Sequence, residues 1–332
     1  MIKIEKFTGS RGLKRLEINL DKRRFFQNNN IPIVSKILKD IRVNKNRALI
    51  KYEKRFSNNN KIKPSKNEIN SAVKSLSPKI KKAIDFAYNR IFKYHTLQKA
   101  KDISYTDKLN NNLKYKFLPI KKVGIYVPAN LPSTLLMNAI PAKIAGVEKI
   151  ILANPRLNKK LNPAVIYAAK KLGIKEIYSI GGAQAIGSLT YIQKVDKIVG
   201  PGNIFVARAK KEVFGEVGIE GMIAGPSEIT ILADKNSEIK SVITSLIGQA
   251  EHDVNSQCII ISKDIIVLKK IKKLIQSNLN SLPRKKIAQK SLKSNGLLIH
   301  ATSDKNILDL INLIAPEHLE INVSKPKKYL NK

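Results

Sequence analysis

The chain has one cysteine, Cys258, and that scarcity excludes an internal disulfide framework and any cysteine-rich zinc site. No apolar run approaches the length of a bilayer span, so no membrane partner is expected. The first residues, Met1-Ile2-Lys3-Ile4-Glu5-Lys6, lack an apolar signal core and address nothing for export. Arginine is scarce as well, 11 of the 62 basic residues against 51 lysines. Bidentate recognition of phosphates and base edges favours arginine, so the formal charge of +37 does not by itself point to a nucleic-acid reader. The lysines are strewn along the whole chain, and asparagine and isoleucine are abundant beside them. All three are encoded by A- and T-rich codons, and we attribute the excess to a genome-wide base bias. Unrelated proteins of the same genome are then expected to share the skew. Non-specific attraction to polyanions at low salt remains.

What is present describes a globular chain. Its 332 residues suffice for two domains, and 43% hydrophobic with 26% charged residues reads as soluble; a cytoplasmic protein is expected. Residues up to about Leu20 read as an extended arm. Ile33 to Phe56 carries apolar residues at helical spacing. Ser65-Lys66-Asn67-Glu68 matches a capping box opening a second helix, and Pro78 fits the first turn of a third. From Leu113 the texture changes. Strands at Val123–Val127, Lys149–Ala153, Glu176–Ile180 and Lys197–Val199 alternate with helices, which predicts a parallel, doubly wound sheet. Such sheets bind ligands at the carboxyl ends of their strands. Tyr126-Val127-Pro128, Gly181-Gly182-Ala183-Gln184 and Gly200-Pro201-Gly202-Asn203 fall at those ends, although no three-glycine dinucleotide fingerprint and no Walker loop is present.

A second α/β unit follows the turn Ala224-Gly225-Pro226-Ser227-Glu228, with strands near Ile229–Leu232, Cys258–Ile261, Leu297–Ile299 and Leu319–Val323 and a Lys-rich helix over Ile265–Leu279. The fold class is therefore α/β, two doubly wound Rossmann-like parallel-sheet units with a helical N-terminal region. The expected division is an arm over 1–20, a first α/β domain from 21–118 plus 227–332, and a second, cofactor-side domain over 119–226. Two short motifs carry chemistry. Gln249 and His252, three apart, would share one face of a helix and could converge on a metal; on spacing alone, a helix end with His252 facing the dipole is the preferred reading. Glu317 and His318, adjacent after Pro316, offer two bases of different strength or a simple loop ion pair.

Several stretches together resemble one family. They are Gly124-Ile125-Tyr126-Val127-Pro128, Leu136 to Val147, Gly181 to Ile186, Lys194 to Asn203, Ala224 to Glu228, Gln249 to Asp253 and Ala315 to Glu320. In this order and near this spacing the chain resembles the histidinol dehydrogenases. The resemblance implies a zinc- and NAD-dependent homodimer that oxidises L-histidinol to L-histidine in two hydride transfers. It implies that Gln249 and His252 ligate zinc, and that Ser227, Gln249, His252 and His318 meet substrate. His318 would take up protons, Glu317 would activate the attacking water, and Tyr126, Gln184 and Asn203 would contact NAD. The chain departs from the family in a shorter turn after Tyr126 and a shorter segment after Leu189. It also stops before the family's small C-terminal domain, which is expected to be missing, and with it an Asp and a His of the zinc shell and a Glu that meets substrate. A second expectation follows, a homologue that folds and binds a ligand or partner without turnover.

Overall fold

The computed structural model describes residues 2–25, 32–220, 227–280, 282 and 284–330. The turn expected at Ala224-Gly225-Pro226 lies outside the described residues. In chain order the first elements are β1 (Lys3–Glu5), α1 (Gly9–Phe25), α2 (Pro32–Ser57), α3 (Lys66–Ser75), α4 (Pro78–Thr96), β2 (Ile103–Thr106), β3 (Asn112–Tyr115) and β4 (Lys122–Tyr126). Next come α5 (Pro132–Ile144), β5 (Lys149–Ala153), α6 (Pro163–Lys171), β6 (Glu176–Tyr178), α7 (Gly182–Gly187), β7 (Lys197–Val199), α8 (Ile204–Val213) and β8 (Gly218–Ile219). A π-helical turn, Ser188–Ile192, continues α7. The chain closes with β9 (Glu228–Ala233), α9 (Ile239–Ala250), β10 (Gln257–Ser262), α10 (Ile265–Leu279), α11 (Lys285–Asn295), β11 (Gly296–His300), α12 (Asp304–Ile314), β12 (Leu319–Asn322) and α13 (Lys327–Leu330).

Two compact units result, one from Met1–Asn29 with Gly225–Lys332 and the other from Asn30–Ala224. In the second unit the sheet order is β6-β5-β4-β7-β8, with every pairing parallel. Numbered within the unit this is 3-2-1-4-5, the dinucleotide-binding order whose reversal falls between β4 and β7. In the first unit the order is β1-β11-β10-β9-β12, again wholly parallel, and the order reverses at β9. Parallel pairing suits the central strands, whose apolar runs, Ile259-Ile260-Ile261 being one, are buried on both faces under crossover helices, whereas the edge strands β1 and β12 carry charged residues.

The expected domain division is corrected by the packing of the first hundred residues. No extended arm exists: Lys3 pairs with Leu297 across the β1–β11 edge, and α1 lays Leu16 and Leu20 with Phe7 among Ile307, Leu310 and Ile314 of α12. The helices after it belong to the other unit. Val34, Ile37, Leu38 and Ile41 of α2 share a core with Ile186, Leu189 and Val206, while Leu76 and Ile84 join Leu135 and Val165 around β4. Their apolar stripes need a partner, and the sheet through β4 supplies it. The capping box at Ser65 is present, Ser65 Oγ accepting from the Glu68 N–H at 3.3 Å and the Glu68 carboxylate accepting from the Ser65 N–H at 2.8 Å.

Candidate functional site

In the second unit the expected cofactor residues stand at the carboxyl ends of β4, β6 and β7. Tyr126 is the last residue of β4, and its hydroxyl accepts from the Gly182 N–H at 3.4 Å. Burial pushes the Tyr126 phenol above its ordinary range. Asn203 caps α8, its side-chain oxygen accepting from the Val206 N–H at 3.1 Å, and its own flank faces solvent. Gln184 is different: it is 3% exposed and its amide donates to Glu53 Oε1 at 2.8 Å. The same oxygen accepts from the Gly181 N–H, also at 2.8 Å. Glu53 therefore holds the Gly181–Gln184 turn from beneath, a role the sequence reading missed. The signal was there, because Glu53 lies four residues after Leu49 on the buried stripe of α2, where a carboxylate is out of place. Two further anchors were missed. Buried Asn154 donates to the carbonyls of Val127 and Pro128 at 3.0 and 3.1 Å, fixing the turn after β4. Lys210 donates to the Gly200 carbonyl, and burial pushes its ammonium down to about 8.

Glu53 is fully buried, and its Oε2 has no hydrogen-bond partner. Burial raises its carboxyl above the ordinary value, against the hydrogen bonds that lower it. A folded-state pKa above the unfolded one means that the native state binds the proton more tightly. Stability from this group is then full below about 4.5 and declines as pH rises through the folded value. The whole decline amounts to about 1.4 kcal/mol for each pH unit that separates the folded and unfolded values. Glu53→Gln removes that decline. The melting temperature of the variant relative to the native protein is expected to rise between pH 4.5 and 8, and a flat difference across that range would refute the assignment.

The switch between β4 and β7 also fits a dinucleotide. Exposed Pro201 and Asn203, with half-buried Gly202 between them, lead into the N-terminus of α8, whose N–H groups and helix dipole could hold a pyrophosphate. An open cavity of about 490 Å³ lined by His95, Phe117, Ile120 and Pro141 holds none of the expected site residues.

In the first unit the expected residues gather at the opposite edge. Ser227 precedes β9, Gln249 and His252 precede β10, and Glu317 and His318 precede β12, so all five lie at the amino ends of three adjacent strands. These five residues thus stand at the strand ends opposite to the carboxyl ends that doubly wound sheets favour for ligands, because the segments bearing them come before the strands. Pairing sets them in register. The Ser227 carbonyl accepts from the Gln257 N–H at 3.0 Å, and the His318 carbonyl accepts from the Thr230 N–H at 2.9 Å. Glu317 and His318 are both exposed, on a turn that follows Ala315 in the left-handed region (φ 45°). Glu228, missed as a site residue although it stands beside Ser227, accepts from the Glu317 N–H at 3.1 Å and from Gln257 Nε2 at 2.9 Å.

The helical pairing expected for Gln249 and His252 is corrected: α9 ends at Ala250, and His252 lies past the cap, its N–H bonded to the Gln249 carbonyl at 3.2 Å. Gln249 Nε2 is buried without a hydrogen-bond partner, which marks that amide as a group awaiting one. For zinc the donor set falls short. Among the described residues no three His, Cys, Asp or Glu side chains come together to hold a metal, and Gln249 with His252 supplies two donors against the usual three of a catalytic zinc.

The histidinol dehydrogenase family profile matches residues 21–332. The chain is 54% identical over 339 aligned residues to histidinol dehydrogenase of Pelagibacter ubique, covering 100% of this chain and 79% of that one. It is 40% identical to histidinol dehydrogenase of Acinetobacter baylyi over 87% of its own length and 70% of the relative's. The crystal structure of histidinol dehydrogenase from Elizabethkingia anophelis superposes with a TM-score of 0.90 at 33% identity, covering 99% of this chain and 78% of that one. On sequence and on fold alike, this chain belongs to the histidinol dehydrogenase family.

Proposed function

We propose that the chain oxidises L-histidinol to L-histidine by way of histidinaldehyde, with NAD as electron acceptor, as a homodimer in the cytoplasm. The observation that carries this is the Glu317–His318 turn, tied by its backbone to β9 beside Ser227 while both side chains stay open to a ligand. No helix among the described residues is long and apolar enough to cross a membrane.

When bound, NAD supplies the hydride acceptor for both oxidations. His318 takes the hydroxyl proton as the alcohol carbon gives up a hydride, leaving the aldehyde. Glu317 takes a proton from water, whose oxygen adds to the aldehyde carbon, while His318 returns its proton to the carbonyl oxygen; the product is the hydrate, and the imidazole is free again. His318 then accepts a second hydroxyl proton while the hydrate loses its hydride and becomes the carboxylic acid. The overall balance is one alcohol, one water and two NAD giving one carboxylate, two NADH and three protons. Ser227 donates a hydroxyl hydrogen bond to the substrate, and Gln249 and His252 bring an amide and an imidazole to its polar end. On the cofactor side Tyr126, Gln184 and Asn203 line the loops in which the dinucleotide would lie. Among the described residues the zinc shell is incomplete, and these steps need no metal.

That shortfall favours a second reading, a homologue that binds ligand without turnover. Absorbance of reduced nicotinamide, followed with purified chain, NAD and histidinol, separates the two. Two NADH per histidinol supports the proposal. No NADH, together with a melting temperature raised by histidinol or NAD, supports the second reading.

A further inference from the structure

We propose that Glu228 is a positioning residue for Glu317 and His318, its carboxylate clamping their turn to the start of β10. The inference rests on the functional reading above for what the turn does, but not for the clamp itself. Glu228 opens β9, the strand between β10 and β12 at which the sheet order reverses. Strand pairing begins on one side with the Gln257 N–H donating to Ser227 and on the other with the Thr230 N–H donating to His318. The backbone ladder thus fixes the His318 carbonyl, whereas the N–H of Glu317 is held by a side chain, at 3.1 Å from Glu228 Oε1. The other oxygen, Oε2, accepts from Gln257 Nε2 at 2.9 Å, and Gln257 is 4% exposed and so rigidly placed. One half-buried carboxylate therefore spans all three strands, taking its reference from the buried side and passing it to an exposed turn.

A carboxylate suits the task because it offers acceptors on both oxygens, and bonds to an ionised acceptor are the stronger kind. Glutamine could stand in. Its oxygen would accept from the Glu317 N–H, and its amide would donate to Gln257 once that amide turned over. Alanine cannot bridge, and aspartate is one methylene too short to reach both partners. Loosening the turn would misplace both proton-transfer groups relative to substrate while leaving the groups that bind it, and displacements near 1 Å cost about 100-fold in rate. The loss is therefore expected in kcat rather than KM.

Two measurements test the clamp. In histidinol oxidation, Glu228→Ala is expected to lower kcat about 100-fold with KM within about threefold, while Glu228→Gln stays within about threefold of the native kcat. In hydrogen exchange, the peptide spanning 316–320 is expected to exchange at least about tenfold faster in Glu228→Ala and unchanged in Glu228→Gln, with peptides of α10 unaffected in both. Native exchange at 316–320 in Glu228→Ala would overturn the clamp, as would a glutamine variant as damaged as the alanine one. If Glu228→Ala does not fold, Gln257→Met removes only the buried anchor; faster exchange at 316–320 supports the clamp and native exchange overturns it. A native chain that oxidises no histidinol would sink the functional reading, and the exchange measurement would still decide the clamp.

Discussion

Replacing His318 by asparagine is expected to lower kcat for histidinol oxidation by about 100- to 10,000-fold, the usual worth of a positioned general base. Asparagine keeps the bulk of the side chain and leaves the backbone carbonyl that Thr230 bonds, so the sheet should survive. KM should change little if His318 acts mainly on protons in flight. Glu317→Gln should behave differently, because its proposed proton comes from water in the second half of the reaction. That variant is expected to complete the first oxidation and stall, releasing close to one NADH per histidinol where the native chain gives two. Quantifying NADH against histidinol consumed checks both variants. Equal losses in both half-reactions for Glu317→Gln would refute the separation of roles.

The second large effect is structural. Gly200 sits at φ +99°, and a Cβ there would come within 2.0 Å of the Tyr126 carbonyl oxygen. The neighbour is backbone at the end of β4, so nothing flexible can yield. Gly200→Ala must therefore pull β7 away from β4 at the point where the order of the sheet reverses, besides forcing a side chain into a left-handed conformation. The expected cost is about 4 kcal/mol or more, in the range that only such named clashes reach. Gly173→Ala supplies the control, since Gly173 has φ +71° but no atom within 4 Å of the added carbon. That change should cost only about 1 kcal/mol. Urea unfolding of both variants checks the difference, and equal losses would mean that conformational strain alone, without the close approach, sets the cost.

How much of this was legible in the sequence depends on how local the cause is. The parallel sheets were, because a strand buried on both faces must be apolar at every position, as in Ile259-Ile260-Ile261. The capping box at Ser65 and the proline opening α4 were legible too, being decided within four residues. Strand β1 was not, since three residues at Lys3–Glu5 become a strand only when β11 offers an edge. Helix α11 escaped notice because lysines dominate it and only Ala288, Ser291 and Leu292 are buried. In the candidate site, Ser227, Glu317 and His318 could be named from motifs. Glu228 could not, because Glu317 lies 89 residues away and only folding brings them together; Glu53 stood out on the buried stripe of α2, but its partner Gly181, 128 residues on, did not.

The pairing of β1 with β11 has a consequence for how the protein is made. The unit over Asn30–Ala224 is continuous, so every strand of its sheet has been synthesised before synthesis reaches β9. The other unit cannot close in that way. Lys3 waits for Leu297, and β9 waits for Leu319, so its sheet stays without either edge strand until Leu297 and Leu319 have been made. At roughly 5–20 residues per second, and with the slow closure that distant parallel pairings impose, the residues proposed to move protons, Glu317 and His318, are among the last to acquire their geometry. During that interval the apolar strands β9 and β10 are exposed in the cell, and it is there that a chaperone would be needed.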